Sequence, residues 1–159
     1  MNTAIACVGK LKEAFWRDGT EEYIKRLARF GKCEILEVPD LPVPENASAA
    51  TEAQIMEKEG EKLLSRIREQ DYVIAMCIGG KRYDSVAFSE HLGALTDRGE
   101  KRLVFVIGGS LGLGKNVLAR ADERLSLSDM TMPHNLARLF LLEQLYRAEK
   151  IRAGEKYHK

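Results

Sequence analysis

The sequence predicts an α/β protein with a mostly parallel β-sheet and helices on both faces. Short runs rich in β-forming residues alternate along the chain with longer segments of helical periodicity. Two apolar runs end at Ile78 and Ile107, and each is followed directly by two glycines. We expect these turns at the carboxyl ends of the strands, where ligands bind in this class of fold. The 159 residues are expected to form a single domain over 1–159.

Five segments are predicted to be strands: Thr3–Val8, Cys33–Val38, 72–78, Leu103–Ile107 and 124–127. The run LVFVI in the fourth segment is the strongest strand signal in the chain. The third strand is expected to end at Gly79-Gly80. Prolines 39, 42 and 44 make the segment after the second strand a loop.

Five segments have the spacing of helices: 12–30, 51–68, 85–95, 116–121 and 134–151. Thr51 followed by Gln54 resembles a capping box and places the start of the second helix there. Ser85 can cap the third helix, and Pro133 stands at the start of the last one. The last helix has a wide apolar face that would be core in a monomer and partly interface in a dimer. Its members are Leu136, Leu139, Phe140, Leu142 and Leu145.

The composition excludes several classes of protein. A net charge of +1 argues against a strongly basic nucleic-acid scaffold, although a local basic patch remains compatible with it. Cys7, Cys33 and Cys77 lie far apart, without metal-ligand spacing, and Cys7 and Cys77 are expected to be buried free thiols in a reducing cytoplasm. No apolar run approaches the roughly 18 residues of a membrane span. The segment MNTAIACVGK lacks the pattern of a signal peptide.

The stretch GGSLGLGKN, residues 108–116, nearly matches the phosphate-binding P-loop pattern through Gly109, Gly114 and Lys115. Asn116 stands where that pattern needs a hydroxyl for magnesium, and Asp129 is a poor candidate for the second magnesium ligand. We therefore expect a glycine-rich loop that fits closely around another flat or extended ligand. Lys115 is expected to start the next helix and to face solvent.

Three further stretches give the loop a family context: FVIGGSLGLGKNV (105–117), LSLSDMTMPHNLARLFLLEQLYRA (125–148) and GEKYHK (154–159). The segments VGKLKE (8–13) and EVPD (37–40) agree with them. Together they resemble the SPOUT-class methyltransferases of the ribosomal large-subunit methyltransferase H family. The resemblance implies S-adenosylmethionine-dependent methylation of N3 of a pseudouridine in 23S ribosomal RNA, within the assembled ribosome. It also implies a homodimer, a C-terminal trefoil knot and no metal.

The resemblance implies that three loops bind S-adenosylmethionine: the end of the third strand, the glycine loop, and the segment before Pro133. Apolar side chains there could pack against the adenine ring, while backbone amides and carbonyls hydrogen-bond to its edge. The implied cofactor residues are Met76, Gly108, Leu127, Ser128, Asp129, Met130, Thr131 and Met132.

The resemblance places catalysis at the carboxyl end of the chain, on His158, Arg147 and Lys159, with the tail completing the partner subunit's site. A histidine in a polar tail has no hydrophobic core to pack into, which favours contact with the substrate. The planar guanidinium of arginine suits phosphate or carbonyl oxygens. From Pro133 onward, basic residues outnumber acidic ones by three, which is a modest RNA footprint. His91 is expected to be a packing or surface residue, and His134 a first-turn residue.

Two other classes stay open at this point. A P-loop nucleotide hydrolase predicts magnesium-dependent ATP or GTP binding that is lost on Lys115→Ala. A non-catalytic module that binds RNA or ribosomes predicts RNA binding without a cofactor, and leaves the glycine turns without a ligand.

Overall fold

The computed structural model describes residues 1–159 and contains five strands that alternate with five helices. The strands are β1 (Thr3–Val8), β2 (Cys33–Val38), β3 (Tyr72–Lys81), β4 (Leu103–Ile107) and β5 (Glu123–Leu125). The helices are α1 (Ala14–Leu27), α2 (Ala49–Leu64), α3 (Ser85–Asp97), α4 (Lys115–Arg120) and α5 (His134–Arg152). None of these helices has the length and apolar character needed to cross a bilayer.

The five strands form one sheet in the order β2-β1-β4-β3-β5, and every neighbouring pair is parallel. Successive side chains of β1 point into two different cores, as the two-residue period of a strand requires. One core packs against α1, α3 and α5, and the other against α2 and α4. The predicted parallel α/β fold with helices on both faces is confirmed, while the trefoil knot stays a prediction.

The third strand does not end at Gly79-Gly80, as the sequence predicted. It shifts register after Met76 and runs on to Lys81, whose carbonyl accepts a hydrogen bond of 2.9 Å from the Ser126 amide. A Cβ at Gly80 would lie 2.6 Å from backbone atoms of Leu125, so only glycine permits this contact. The glycine pair therefore lets β3 run closely along β5.

Two predicted helix caps were wrong. The Ser48 side chain accepts a hydrogen bond of 3.1 Å from the Thr51 amide, so Ser48 caps α2 and Thr51 lies inside the helix. The Asp84 side chain accepts one of 2.8 Å from the Ala87 amide, so α3 is capped by Asp84 and not by Ser85. In both helices the capping oxygen comes from the residue with extended backbone, which can reach an amide three residues on.

Helix α5 divides its apolar face between the core and solvent. Leu142 and Leu145 are almost fully buried, whereas Leu136 and Phe140 are 37% and 39% exposed. Phe15 on α1 is also exposed. The apolar face of α5 is therefore exposed to solvent in its amino-terminal half, and the sequence alone could not divide this face between core and interface.

A buried ion pair holds together the two loops that precede β3 and β4. Arg102 donates from Nε and Nη2 to the two carboxylate oxygens of Asp71, over 2.9 and 2.5 Å. The Asp71 side chain is only 2% exposed and also accepts from the Arg68 amide. Burial opposes ionisation of Asp71, but these hydrogen bonds outweigh it and lower its pKa.

We expect Asp71→Asn to lower the free energy of unfolding by about 3 kcal/mol, because it leaves the mostly buried Arg102 without its main partner. Urea denaturation followed by circular dichroism measures this change. Glu100→Gln, in the same loop as Arg102, is the control and should change stability by less than about 0.5 kcal/mol. Equal stability of the two variants would contradict the role given to the ion pair.

Candidate functional site

A cavity of about 730 Å³ opens at the carboxyl ends of β3, β4 and β5. Parallel strands bring these ends to one edge of the sheet, which is where α/β folds place their ligands. Its walls come from the end of β3, the glycine loop after β4, the segment after β5 and the first turn of α5. The lining residues are Met76–Ile78, 107–113, 125–128, Met130–His134 and Ala137.

The glycine loop is a tight turn that folds back on the end of β4. The Gly112 amide donates to the Gly109 carbonyl over 3.1 Å, and Gly112 has a φ of +90°. A Cβ at Gly108 would lie 2.5 Å from the backbone carbonyl of Gly112. Glycine is therefore required at position 108 for close backbone approach and at 112 for its left-handed conformation.

The residues that resemble a P-loop have other tasks in the fold. Lys115 is the exposed first residue of α4, as expected. A Cβ at Gly114 would lie 2.9 Å from the Met56 carbonyl oxygen, and the Asn116 side chain donates to the Glu57 carbonyl over 2.9 Å. Gly114 and Asn116 thus join α4 to α2, on the face of the sheet away from α5.

The segment after β5 is held by serine side chains. The Ser126 hydroxyl donates to the Ser128 carbonyl over 2.9 Å, and the Ser128 hydroxyl accepts from the Met130 amide over 3.0 Å. These contacts turn the chain so that its backbone borders the cavity. Met130 remains 79% exposed.

Seven of the eight implied cofactor residues line the cavity: Met76, Gly108, Leu127, Ser128, Met130, Thr131 and Met132. Asp129 does not line it. The Asp129 carboxylate is 76% exposed and forms an ion pair with Arg82, because the turn around Ser128 directs it outward.

Sequence reasoning missed several lining residues. His134 and Ala137 line the cavity from the first turn of α5, and Ser110 and Leu111 line it from the tip of the glycine loop. The sequence could have indicated them, because His134 and Ala137 follow Pro133 closely and Ser110 and Leu111 stand between the loop glycines. Cys77 was expected to be buried but is partly exposed and lines the cavity.

The other cysteine expected to be buried, Cys7, is indeed inside the core. Burial raises the pKa of its thiol to about 12, so it stays protonated. His91 packs on Tyr83 at 4.9 Å between ring centroids, and its Nε2 lies 2.8 Å from a Glu123 carboxylate oxygen. Cys7 and His91 therefore have structural roles.

A second group of functional candidates lies where the chain tail folds onto α5. Arg147 donates to the Glu143 carboxylate over 2.5 Å and lies 3.3 Å from Nδ1 of His158. Tyr157 donates to Glu143 over 3.0 Å, and the guanidinium of Arg147 stacks 4.7 Å from the Tyr157 ring centre. Burial raises the pKa of Tyr157, so the phenol stays protonated and can donate. These contacts hold the tail and present His158.

The three implied catalytic residues do not meet the cavity of their own chain. His158 and Lys159 are exposed, Arg147 is partly exposed, and none of the three lines the cavity. The structure therefore brings Arg147 and His158 together but keeps them apart from the implied cofactor residues.

The basic excess of the carboxyl-terminal region is largely neutralised. Arg138 is buried, and Arg147, Lys150 and Arg152 form ion pairs with Glu143, Glu155 and Glu149. Lys156 and Lys159 remain exposed. Of the basic residues from Pro133 onward, only these two in the tail are therefore both exposed and free of an ion pair. No group of three or more His, Cys, Asp or Glu side chains is arranged to hold a metal ion.

The comparisons with known proteins agree on one family. A family model described as "Predicted SPOUT methyltransferase" matches residues 1–158. Proteins called "Ribosomal RNA large subunit methyltransferase H" are 48% identical in Bacillus cytotoxicus and 50% in Clostridium novyi, over 159 residues and all of both chains. A probable methylase family protein from Haemophilus influenzae shares the fold at a TM-score of 0.54 and 13% identity, over 99% of this chain and 70% of that one. The chain therefore belongs to the SPOUT methyltransferase family.

Proposed function

We propose that this protein transfers a methyl group from S-adenosylmethionine to N3 of a pseudouridine in large-subunit ribosomal RNA, as a homodimer in the cytoplasm. Support comes from relatives named for large-subunit ribosomal RNA methylation, which match this chain from end to end at 48–50% identity. The observation that carries the proposal is the cavity at the strand ends, which seven of the residues implied by the family resemblance line.

The chemistry of this cavity fits S-adenosylmethionine. Its volume of about 730 Å³ suits a nucleoside with an amino-acid tail. Side chains such as Met76, Leu127 and Met132 offer apolar walls to the adenine ring. The glycines at 108 and 112 give the loop its tight turn, so that its backbone borders the cavity and can meet the polar edge of the ring. When bound, the cofactor supplies an electrophilic methyl group.

We place the catalytic side chains in the partner subunit. His158 and Arg147 lie outside their own chain's cavity, so a second copy is needed to bring such a pair to it. The exposed Leu136 and Phe140 offer an apolar contact surface on α5, the helix whose first turn also lines the cavity. Docking of two copies at this surface would bring each tail near the other's cavity.

Each catalytic residue has a distinct role in this proposal. N3 of pseudouridine must lose its proton to attack the methyl group. In this proposal Nδ1 of His158 accepts from Arg147, so its Nε2–H would donate to an oxygen of the pseudouridine imide and stabilise the anion, while the proton leaves to solvent. Arg147 orients His158 through the 3.3 Å contact and offers its guanidinium to an oxygen of the substrate. Lys159 supplies a cation for RNA phosphates.

The direct test is methyl transfer from labelled S-adenosylmethionine to ribosomes that lack the modification. We expect the label in large-subunit RNA, on one pseudouridine, identified by mass spectrometry of nuclease digests. Label on another base or on ribose would overturn the assigned chemistry, and label confined to small-subunit RNA would overturn the assigned substrate.

Gly108→Ala should weaken S-adenosylmethionine binding by at least about tenfold, because the new Cβ displaces the backbone around Gly112. Isothermal titration calorimetry measures the affinity. Gly93→Ala, in α3, is the matched control: its Cβ meets only the flexible side chain of Arg152, so the affinity should stay unchanged. Full affinity in Gly108→Ala would remove the glycine loop from the cofactor site.

His158→Ala should leave the cofactor affinity nearly intact and slow methyl transfer by roughly 10²-fold or more. Lys101→Ala is the control variant, because Lys101 is exposed and lies in the loop before β4, away from the tail and the cavity. Unchanged single-turnover rates in His158→Ala would exclude this residue from catalysis.

Mixed dimers test whether the site is shared between subunits. Gly108→Ala and His158→Ala protomers, refolded together in equal amounts and assayed at S-adenosylmethionine concentrations below the Kd of Gly108→Ala, should recover about a quarter of wild-type activity, because half of the dimers then carry one intact composite site. If the tail served its own chain's cavity, every mixed dimer would be inactive.

A further inference from the structure

A second cavity, of about 430 Å³, lies beside α1 near the carboxyl ends of β1 and β2. Its walls belong to α1, the loop after β1, strand β2 and a single residue of α5. The lining residues are Lys10, Leu11, Arg17, Thr20, Glu21, Ile24, Ile35, Glu37 and Arg138. Neither the family resemblance nor the cofactor site accounts for it.

Two polar groups buried in the wall of this cavity lack hydrogen-bond partners within the protein. Arg138 is 1% exposed, and only its Nη2 is bonded, to the Gly9 carbonyl over 3.1 Å, while Nε and Nη1 are free. Glu37 lies 3.7 Å from Nη1, too far for a hydrogen bond. Thr20 is 5% exposed, and its hydroxyl is also unbonded.

Free donors of this kind call for acceptor atoms in the ligand. A guanidinium can only donate, so Nε and Nη1 require an oxygen-rich group, and leaving them unsatisfied is costly. Lys10, Arg17 and Arg138 outnumber the carboxylates of Glu21 and Glu37 in the wall, which favours an anion. A phosphate presents several oxygens, so that one can accept from Nη1 of Arg138 and another from the Thr20 hydroxyl.

The position of this cavity relates it to the proposed substrate. Ala137 lines the cofactor cavity, and Arg138, the next residue of α5, lines the second one. Both cavities therefore flank the amino-terminal part of α5 at the same edge of the sheet. RNA whose target base enters the first cavity would run past the second.

We propose that the second cavity binds a backbone phosphate of the RNA substrate, held by the free Nη1 of Arg138, by Thr20 and by Lys10. This inference rests on the proposed function for its ligand. It adds a substrate contact on α1, the loop after β1 and α5, away from the cofactor and the chain tail.

Kinetics with ribosomes test this inference. Lys10→Ala, which removes an exposed cation at the cavity, should raise KM for ribosomes about tenfold at unchanged kcat and S-adenosylmethionine affinity. The slope of log KM against log salt should fall by about 0.7 to 0.9, as for one lost phosphate contact. Thr20→Val, which is nearly isosteric, should also raise KM for ribosomes. Lys12→Ala is the charge-matched control, because Lys12 is exposed but lies outside the cavity wall.

A titration with inorganic phosphate tests the site without any methyl transfer. The Nε–H resonance of Arg138, assigned by its loss in Arg138→Lys, should shift on phosphate addition, and Thr20→Val should weaken that response.

If phosphate shifts the resonance but Lys10→Ala and Thr20→Val leave KM for ribosomes unchanged, the site binds free phosphate and the RNA assignment is overturned. No response to phosphate, or an equal KM increase in Lys12→Ala, would overturn the inference. Absence of methyl transfer by wild-type protein would instead refute the proposed function, and the titration would still decide the site.

Discussion

The close backbone contact between Gly80 and Leu125 is the constraint on which the functional site depends. It brings the end of β3 against β5, with less than 3 Å between the position of a Cβ and the facing backbone. The hydrogen bond from Ser126 to Lys81 then fixes the start of the segment that borders the cofactor cavity. A side chain at Gly80 would separate the two strands and displace that segment from the glycine loop opposite.

Helix α5 connects the parts of the molecule that are proposed to act in methyl transfer. Its middle is anchored by Leu142 and Leu145 in the larger core, so its position relative to the sheet is fixed. Its amino-terminal part contributes Ala137 to one cavity and Arg138 to the other. Its carboxyl-terminal part bears Arg147 and receives the tail. One rigid helix would thus set the spacing of the proposed cofactor site, phosphate site and catalytic tail.

The sequence predicted the sheet well because strand signals such as LVFVI depend on local composition. It misplaced the caps of α2 and α3, because Ser48 and Thr51, or Asp84 and Ser85, are equally good capping residues until the backbone conformation is known. Most implied cofactor residues line the cavity, because their segment follows a strand end. Asp129 does not, because the turn built by the Ser128 hydroxyl directs it outward. The cavity containing Arg138 was beyond sequence reasoning, since it arises from elements more than a hundred residues apart.

In the proposed function, the glycine loop binds S-adenosylmethionine and not a nucleoside triphosphate. Calorimetric titration of the purified protein with each ligand, ATP being added with magnesium, tests it most directly. We predict binding of S-adenosylmethionine, no binding of ATP, and no effect of Lys115→Ala on either titration. Magnesium-dependent ATP binding that is lost in Lys115→Ala, without binding of S-adenosylmethionine, would contradict the account and favour a P-loop.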